Sequence, residues 1–225
     1  MKIEVISLGG SLLVPEKMDY KFLHDLRKLV LSFRDRKFVI VVGGGSVSRK
    51  YMNALESLRI GTRQQCLMGI GATRLNARFL MYVFGGAANK SMPNSLQEIN
   101  NLLAKKRIVI AGALRFIQNN TSDGTAALIA KFFRAQFINM TNVRGLYTKD
   151  PSRYRDAKLI RKISKKDFRK MAGKMRYHPG QHFVLDQRAA DILSSSNISA
   201  KIIGKDLKNL RNLLNGKRFI GTTIE

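Results

Sequence analysis

Two glycine clusters, Gly9-Gly10-Ser11 and Gly43-Gly44-Gly45, stand directly after apolar runs, Lys2 to Leu8 and Phe38 to Val42. Glycine lets the backbone come close to a phosphate and aim N–H groups at it, and a helix starting just beyond adds the positive end of its dipole. Neither cluster has the Walker A spacing or the dinucleotide pattern GxGxxG, so the pair points to a phosphate site of another design. Ordinary strand-to-helix turns have the same composition. Thr121-Ser122-Asp123-Gly124 offers two hydroxyls and a carboxylate at a helix N-terminus, where Thr121 or Ser122 also suits plain capping. After a later apolar run, Thr141 to Pro151 gathers an amide, an aromatic ring and an acid, a set suited to a nucleobase and ribose, or to a surface turn. His178 and His182 are four apart, but Pro179 and Gly180 break the helix that would align them, so no metal ligand is assigned.

These residues need strands to end where the glycines begin. Lys2 to Leu8, Phe38 to Val42, Ile108 to Ala111 and Phe137 to Met140 are short apolar runs, continuous or nearly so, the pattern of central strands covered on both faces. Helical periodicity links them. Asp19 caps a helix with Phe22, Leu26, Leu29, Val30 and Phe33 on one face, and a helix starts near Ser46. Further helices are predicted over Ile70 to Val83, Leu96 to Leu103, from Asp123, near Ser164 to Met171, over Asp186 to Ser195 and over Asp206 to Leu214. Ala200 to Ile203 is a strand, and a terminal strand or hairpin follows. Strands alternating with helices define an α/β fold with a mostly parallel sheet, in which ligands sit beyond the carboxyl ends of the strands. The turn-rich Thr141 to Asp156 stretch is the boundary between two lobes of one domain, about 1–140 and about 141–225.

With 225 residues, 44% of them hydrophobic, the chain can bury one core. No apolar run approaches the about 20 residues of a bilayer span, and no export signal is visible at Met1. The single cysteine, Cys66, agrees with a reducing, cytoplasmic compartment. Lys and Arg number 41 against 15 Asp and Glu, a net charge of +26 that attracts nucleotides and nucleic acids alike. Basic residues such as Lys105-Lys106-Arg107 also fit solvated helix faces, and no nucleic-acid-binding module is present, so a nucleic-acid partner is not expected.

Taken in order, Ser7-Leu-Gly-Gly-Ser11, Val42-Gly-Gly-Gly45 with Arg49, Gly69-Ile70 with Thr73-Arg74 and Asn76-Ala77, Thr121-Ser-Asp123, Thr141-Asn-Val with Gly145 and Tyr147 to Pro151, and Gly221-Thr-Thr-Ile224 resemble the archaeal-type UMP kinases of the amino-acid-kinase family. The resemblance spans nearly the whole chain. It implies a three-layer α/β/α sandwich that transfers the γ-phosphate of ATP to UMP with Mg²⁺, the acceptor in the N-terminal lobe, ATP in the C-terminal one, and a hexameric assembly. Carried over by position, Ser7, Gly9, Gly10, Ser11, Gly45 and Arg49 face the ATP phosphates. Thr141, Asn142, Tyr147 and Asp150 hold the adenosine end. Gly44, Cys66, Asn119, Asn120, Thr121 and Ser122 face the acceptor, and Asp123 with Arg49 acts on the transferring phosphoryl.

The chain departs from that pattern. Cys66 stands where the family has an acid that grips the acceptor ribose, and a thiol cannot accept a bidentate bond. Arg144 replaces an acid, Ser7 and Ser46 stand where relatives often carry Lys, and Ala113 to Gln118 replaces a Gly-Thr-x-Pro-Gly-His type loop. The losses fall mainly on the acceptor side. They keep open a same-fold kinase for another phosphorylated acceptor, and the +26 charge keeps open a non-catalytic nucleotide- or nucleic-acid-binding protein.

Overall fold

The computed structural model describes residues 1–14, 18–117, 120–173 and 185–225. Asn119, His178 and His182 lie outside them.

Five parallel strands form the centre of a seven-stranded sheet, β1 (Lys2–Leu8), β2 (Arg36–Val42), β3 (Ile108–Ala111), β4 (Gln136–Met140) and β6 (Ala200–Ile203), with β5 (Lys162–Ile163) and β7 (Thr222–Ile224) running the other way at one edge. The order is β3-β2-β1-β4-β6-β7-β5. The chain moves outward from β1 to β3 and then returns to the other side of β1, so the winding reverses between β1 and β4. That reversal opens a crevice beyond their carboxyl ends.

Alternation along each strand divides the core into two layers. Ile6, Leu8, Phe38, Ile40, Val42, Ile138 and Met140 pack with α2 (Tyr20–Ser32), α4 (Thr62–Phe84) and α9 (Leu207–Leu214). Val5, Val39, Val41, Val109 and Phe137 pack on the opposite face with α5 (Leu96–Lys105), α6 (Ser122–Phe133), α7 (Lys165–Gly173) and α8 (Gln187–Ser194). Burial of each such side chain contributes about 1.5–3 kcal/mol. The result is the three-layer sandwich with a mostly parallel sheet that the strand patterns predict.

Helix α4 corrects one expectation. It begins at Thr62, two turns before Ile70, and runs 23 residues to Phe84. Gln64, Gln65, Gly69 and Gly71 dilute its amphipathic pattern, yet Gln65 is buried and donates to the Ile60 carbonyl at 2.8 Å. The one-turn α1 (Gly10–Leu13), the two-residue β5 and the reversed β7 carry no periodic signal of their own. Helix α3 spans Gly45–Ser57. Among the described residues, no helix is long and apolar enough to cross a membrane.

Candidate functional site

A cleft opens at the β1/β4 switch, and backbone fixes its floor. Gly9 N–H donates to the Met140 carbonyl at 2.9 Å, tying the end of β1 to the end of β4, and Gly43 N–H donates to the Leu8 carbonyl at 3.0 Å. The two glycine turns touch. A Cβ on Gly10 would stand 2.1 Å from the Gly45 nitrogen and 2.6 Å from the Gly43 oxygen, so only glycine fits. Gly45 itself has φ +67°, a conformation side chains disfavour. From α4, Asn76 Nδ2 donates to the carbonyls of Gly43 at 2.9 Å and Gly44 at 3.1 Å. The turn's carbonyls are thus satisfied from α4.

Asp123, in the first turn of α6, is the electrostatic centre of the floor. Ser7 Oγ donates to its Oδ1 at 2.6 Å and Asn139 Nδ2 to the same oxygen at 3.0 Å. Both donors follow from strand parity: Ser7 and Asn139 are register partners on β1 and β4, on the face shared with Val5 and Phe137. Burial, then the negative Asp186 nearby, push the Asp123 pKa from 3.8 up to about 7, against the two hydrogen bonds, which favour the anion. Burial also raises Asp186. The side chain of Asp186 caps α8 by accepting from Ala189 N–H at 2.9 Å, and it accepts the hydroxyl of Thr121, the N-cap of α6.

Arg49, on α3, lines the cleft, and burial pulls its guanidinium below its ordinary range without approaching neutrality. The loop after β3 forms another wall. Thr73 Oγ1 accepts from Ala113 N–H at 2.9 Å, and Arg74 Nη1 donates to the Ala113 and Leu114 carbonyls at 3.3 and 3.2 Å. Phe116, Ile117, Ile70 and Met52 give that end an apolar surface.

Of the residues singled out by sequence, Gly9, Gly10, Ser11, Gly44, Gly45, Arg49, Cys66, Asn120, Thr121, Ser122, Asp123, Thr141 and Asn142 line this one cleft. Ser7 lies directly beneath, through its bond to Asp123. Tyr147 and Asp150 are not among the lining residues. Tyr147 bridges to Leu159, and Asp150 closes a turn by accepting from Ser152 N–H at 2.9 Å and Ser152 Oγ at 2.7 Å. Thr222 supports the same segment, accepting Leu146 N–H at 2.8 Å and donating to the Ile160 carbonyl at 2.5 Å. Thr73, from the Thr73-Arg74 pair of the sequence motifs, lines the cleft too, and Ser48, Met52, Asn139 and Asp186 do so without a place among those motifs. Asn139 carried a signal, a polar residue inside an otherwise apolar buried strand. Asp186 carried none beyond that of a helix cap.

A doubly wound sheet with paired glycine turns at its switch point, a half-buried carboxylate on the floor and a guanidinium on the wall defines a phosphate-handling α/β protein. The profile of the amino acid kinase family matches residues 2–204. The chain is 33% identical over 222 residues to a uridylate kinase of Thermoplasma volcanium, covering 98% of this chain and 96% of that one. To a uridylate kinase of Pyrococcus abyssi it is 34% identical, covering 98% of both. The crystal structure of uridylate kinase from Archaeoglobus fulgidus superimposes with a TM-score of 0.85 at 32% identity over the whole of both chains. A structure of isopentenyl phosphate kinase shares the fold, with a TM-score of 0.74 at 18% identity. This chain belongs to the amino acid kinase family.

Proposed function

We propose that the protein transfers the γ-phosphoryl group of ATP to the phosphate of UMP, giving UDP and ADP in pyrimidine nucleotide supply. The observation that carries the reading is the meeting of the two glycine turns over Asp123, with Arg49 beside them, in a chain collinear with uridylate kinases over nearly its whole length. A UMP phosphate oxygen attacks Pγ as the bond from Pγ to the bridging oxygen of ADP breaks. That oxygen is already anionic near neutral pH, so no general base is needed, and catalysis is positioning and charge stabilisation.

The turn amides after β1 and β2, with Arg49, hold the ATP phosphates. The 141–225 lobe takes the adenosine through Thr141 and Asn142, and the 1–140 lobe takes UMP against Gly44, Cys66 and Asn120 to Ser122. Mg²⁺ fits the acidic floor: the Asp123 side chain is held by the neutral Ser7 hydroxyl and Asn139 amide, and it lines the cleft as a hard oxygen donor. Mg²⁺ held there would supply positive charge for the transferring phosphoryl, and Asp123 would be favoured as the anion beside it.

Assembly as a homo-oligomer, a hexamer by resemblance, is supported by α4, which exposes Leu67, Met68, Leu75 and Tyr82 along one long helix. Light scattering measures it. Cys66 and the apolar wall of Phe116, Ile117, Ile70 and Met52 favour a second reading, another phosphorylated acceptor in the same cleft. One assay separates the two: ADP release with Mg-ATP at near-physiological salt against UMP, CMP, AMP, GMP and isopentenyl phosphate, with Asp123→Asn as control. Turnover led by UMP and abolished in the variant supports the proposal. Turnover with a different acceptor alone replaces UMP, and no turnover with any nucleoside monophosphate defeats it.

A further inference from the structure

Asp186 sits 65 residues from Thr121 in sequence, yet the two share a hydrogen bond. Each oxygen of Asp186 has its own partner. Oδ1 accepts Ala189 N–H and caps α8, while Oδ2 accepts the Thr121 hydroxyl. Thr121 is also doubly engaged, since its Oγ1 accepts Gly124 N–H at 3.0 Å to cap α6 while its proton goes to Asp186. The caps of two helices are therefore joined to each other.

Capping α8 does not require a carboxylate. Asn or Ser would hold Ala189 N–H about as well. A carboxylate only 4% exposed, beside a second one at Asp123, carries a desolvation and repulsion cost that those residues avoid. What they lack is a second, purely accepting oxygen. Gly124 N–H takes one lone pair of the Thr121 hydroxyl, whose proton still needs an acceptor, and an asparagine amide turned toward it can only donate and would leave that proton unmatched. The fit between the helix ends is close: a Cβ on Gly124 would stand 2.9 Å from Arg188 Cγ and 2.5 Å from Asn120 Oδ1. A small displacement of α8 is felt directly along Asn120 to Asp123, which lines the cleft.

We propose that Asp186 is a positioning residue for phosphoryl transfer: by accepting the Thr121 hydroxyl it locks the N-terminus of α6 to that of α8 and fixes where Thr121, Ser122 and Asp123 meet the phosphates. This rests on the reading that the cleft transfers a phosphoryl group. In this role Asp186, at the edge of the cleft, acts through Thr121 and Asp123.

A double-mutant cycle tests it. Asp186→Asn, Thr121→Val and the pair are compared with the wild type in kcat, in KM for UMP and in thermal midpoint. Each single variant is expected to lower kcat about 10- to 100-fold, the scale of a misplaced reacting group, with KM changed much less. The pair is expected to be no worse than the more severe single. Thr121→Ser, which keeps both hydrogen bonds, recovers most of what Thr121→Val loses. Additive losses in kcat, failure of the serine to rescue, or losses that simply follow the thermal midpoint overturn the proposal. The same cycle is read in calorimetric binding of Mg-ATP. If the wild type turns over no acceptor but binding losses remain coupled, the UMP reading falls and the positioning role stands; additive binding losses, or no Mg-ATP binding by the wild type, defeat the positioning role.

Discussion

Asp123→Asn removes one charge and little else. Ser7 and Asn139 both donate to Oδ1, at 2.6 and 3.0 Å, so an asparagine carbonyl retains both bonds and only Oδ2 is exchanged. In the native wild type, burial and the nearby Asp186 raise the carboxyl from 3.8 to about 7. Between those values the folded protein holds a proton that the unfolded chain releases, so unfolding free energy falls as pH rises through the window. The stability is complete below about pH 4 and gone above about pH 7. A rise of about three pH units corresponds to about 4 kcal/mol, and partial solvent access with a neighbouring acid that relaxes when Asp123 is neutral brings the expectation to about 2–3 kcal/mol. The variant should therefore be more stable than the wild type by about that much at pH 8, with the difference closing toward pH 4. The chain has no Trp, so the assay is urea unfolding followed by far-ultraviolet circular dichroism, without nucleotide and with EDTA. The same variant is expected to lose phosphoryl transfer. A wild type at least as stable as the variant at pH 8, or a difference that does not change with pH, would refute the electrostatic account of this floor.

Other substitutions probe the turns and the wall. Arg49→Ala should lower kcat about 100-fold or more in the UDP-forming assay, with the urea midpoint nearly unchanged, because the proposed reading gives the guanidinium to the phosphates and it forms no salt bridge among the described residues. Gly10→Ala forces a carbon against the backbone of Gly43 and Gly45, where nothing flexible can yield, and should cost about 3 kcal/mol in urea unfolding or prevent folding. Asn76→Ala leaves the Gly43 and Gly44 carbonyls without their donor and should cost about 1–3 kcal/mol, raising KM for UMP more than it lowers kcat. Cys66→Asp places an acid on the proposed acceptor wall, and a fall of about tenfold in KM for UMP corresponds to one good charge-assisted bond.

What the sequence made legible follows from how far each residue's role reaches. The turns at Gly9 and Gly43 were readable because a continuous apolar strand ending in glycine is a local pattern, and the winding of a parallel sheet places all such ends together. Ser7 and Asn139 stand opposite each other in register on β1 and β4, yet only Ser7 stands out in the sequence. It adjoins a glycine turn, whereas Asn139 shows its role only when the register sets it beneath α6. Asp186 lay further out of reach. Its sequence context is that of any helix cap, and its second partner arrives from 65 residues away. Helix α4 begins two turns before its periodicity predicts, because its first turns are polar and glycine-bearing, a composition that propensity penalises, and buried Gln65 with its bond to Ile60 holds them in tertiary context. Asp150 shows the converse. It sits in a motif that suggests ribose binding, but its carboxylate is engaged by Ser152 and paired with Arg153 at 3.5 Å. A ligand reaching for Asp150 must compete with that turn, so Asp150→Asn, which still accepts from Ser152, should leave KM for ATP within about twofold. A much larger rise would mean that the turn opens toward the nucleotide.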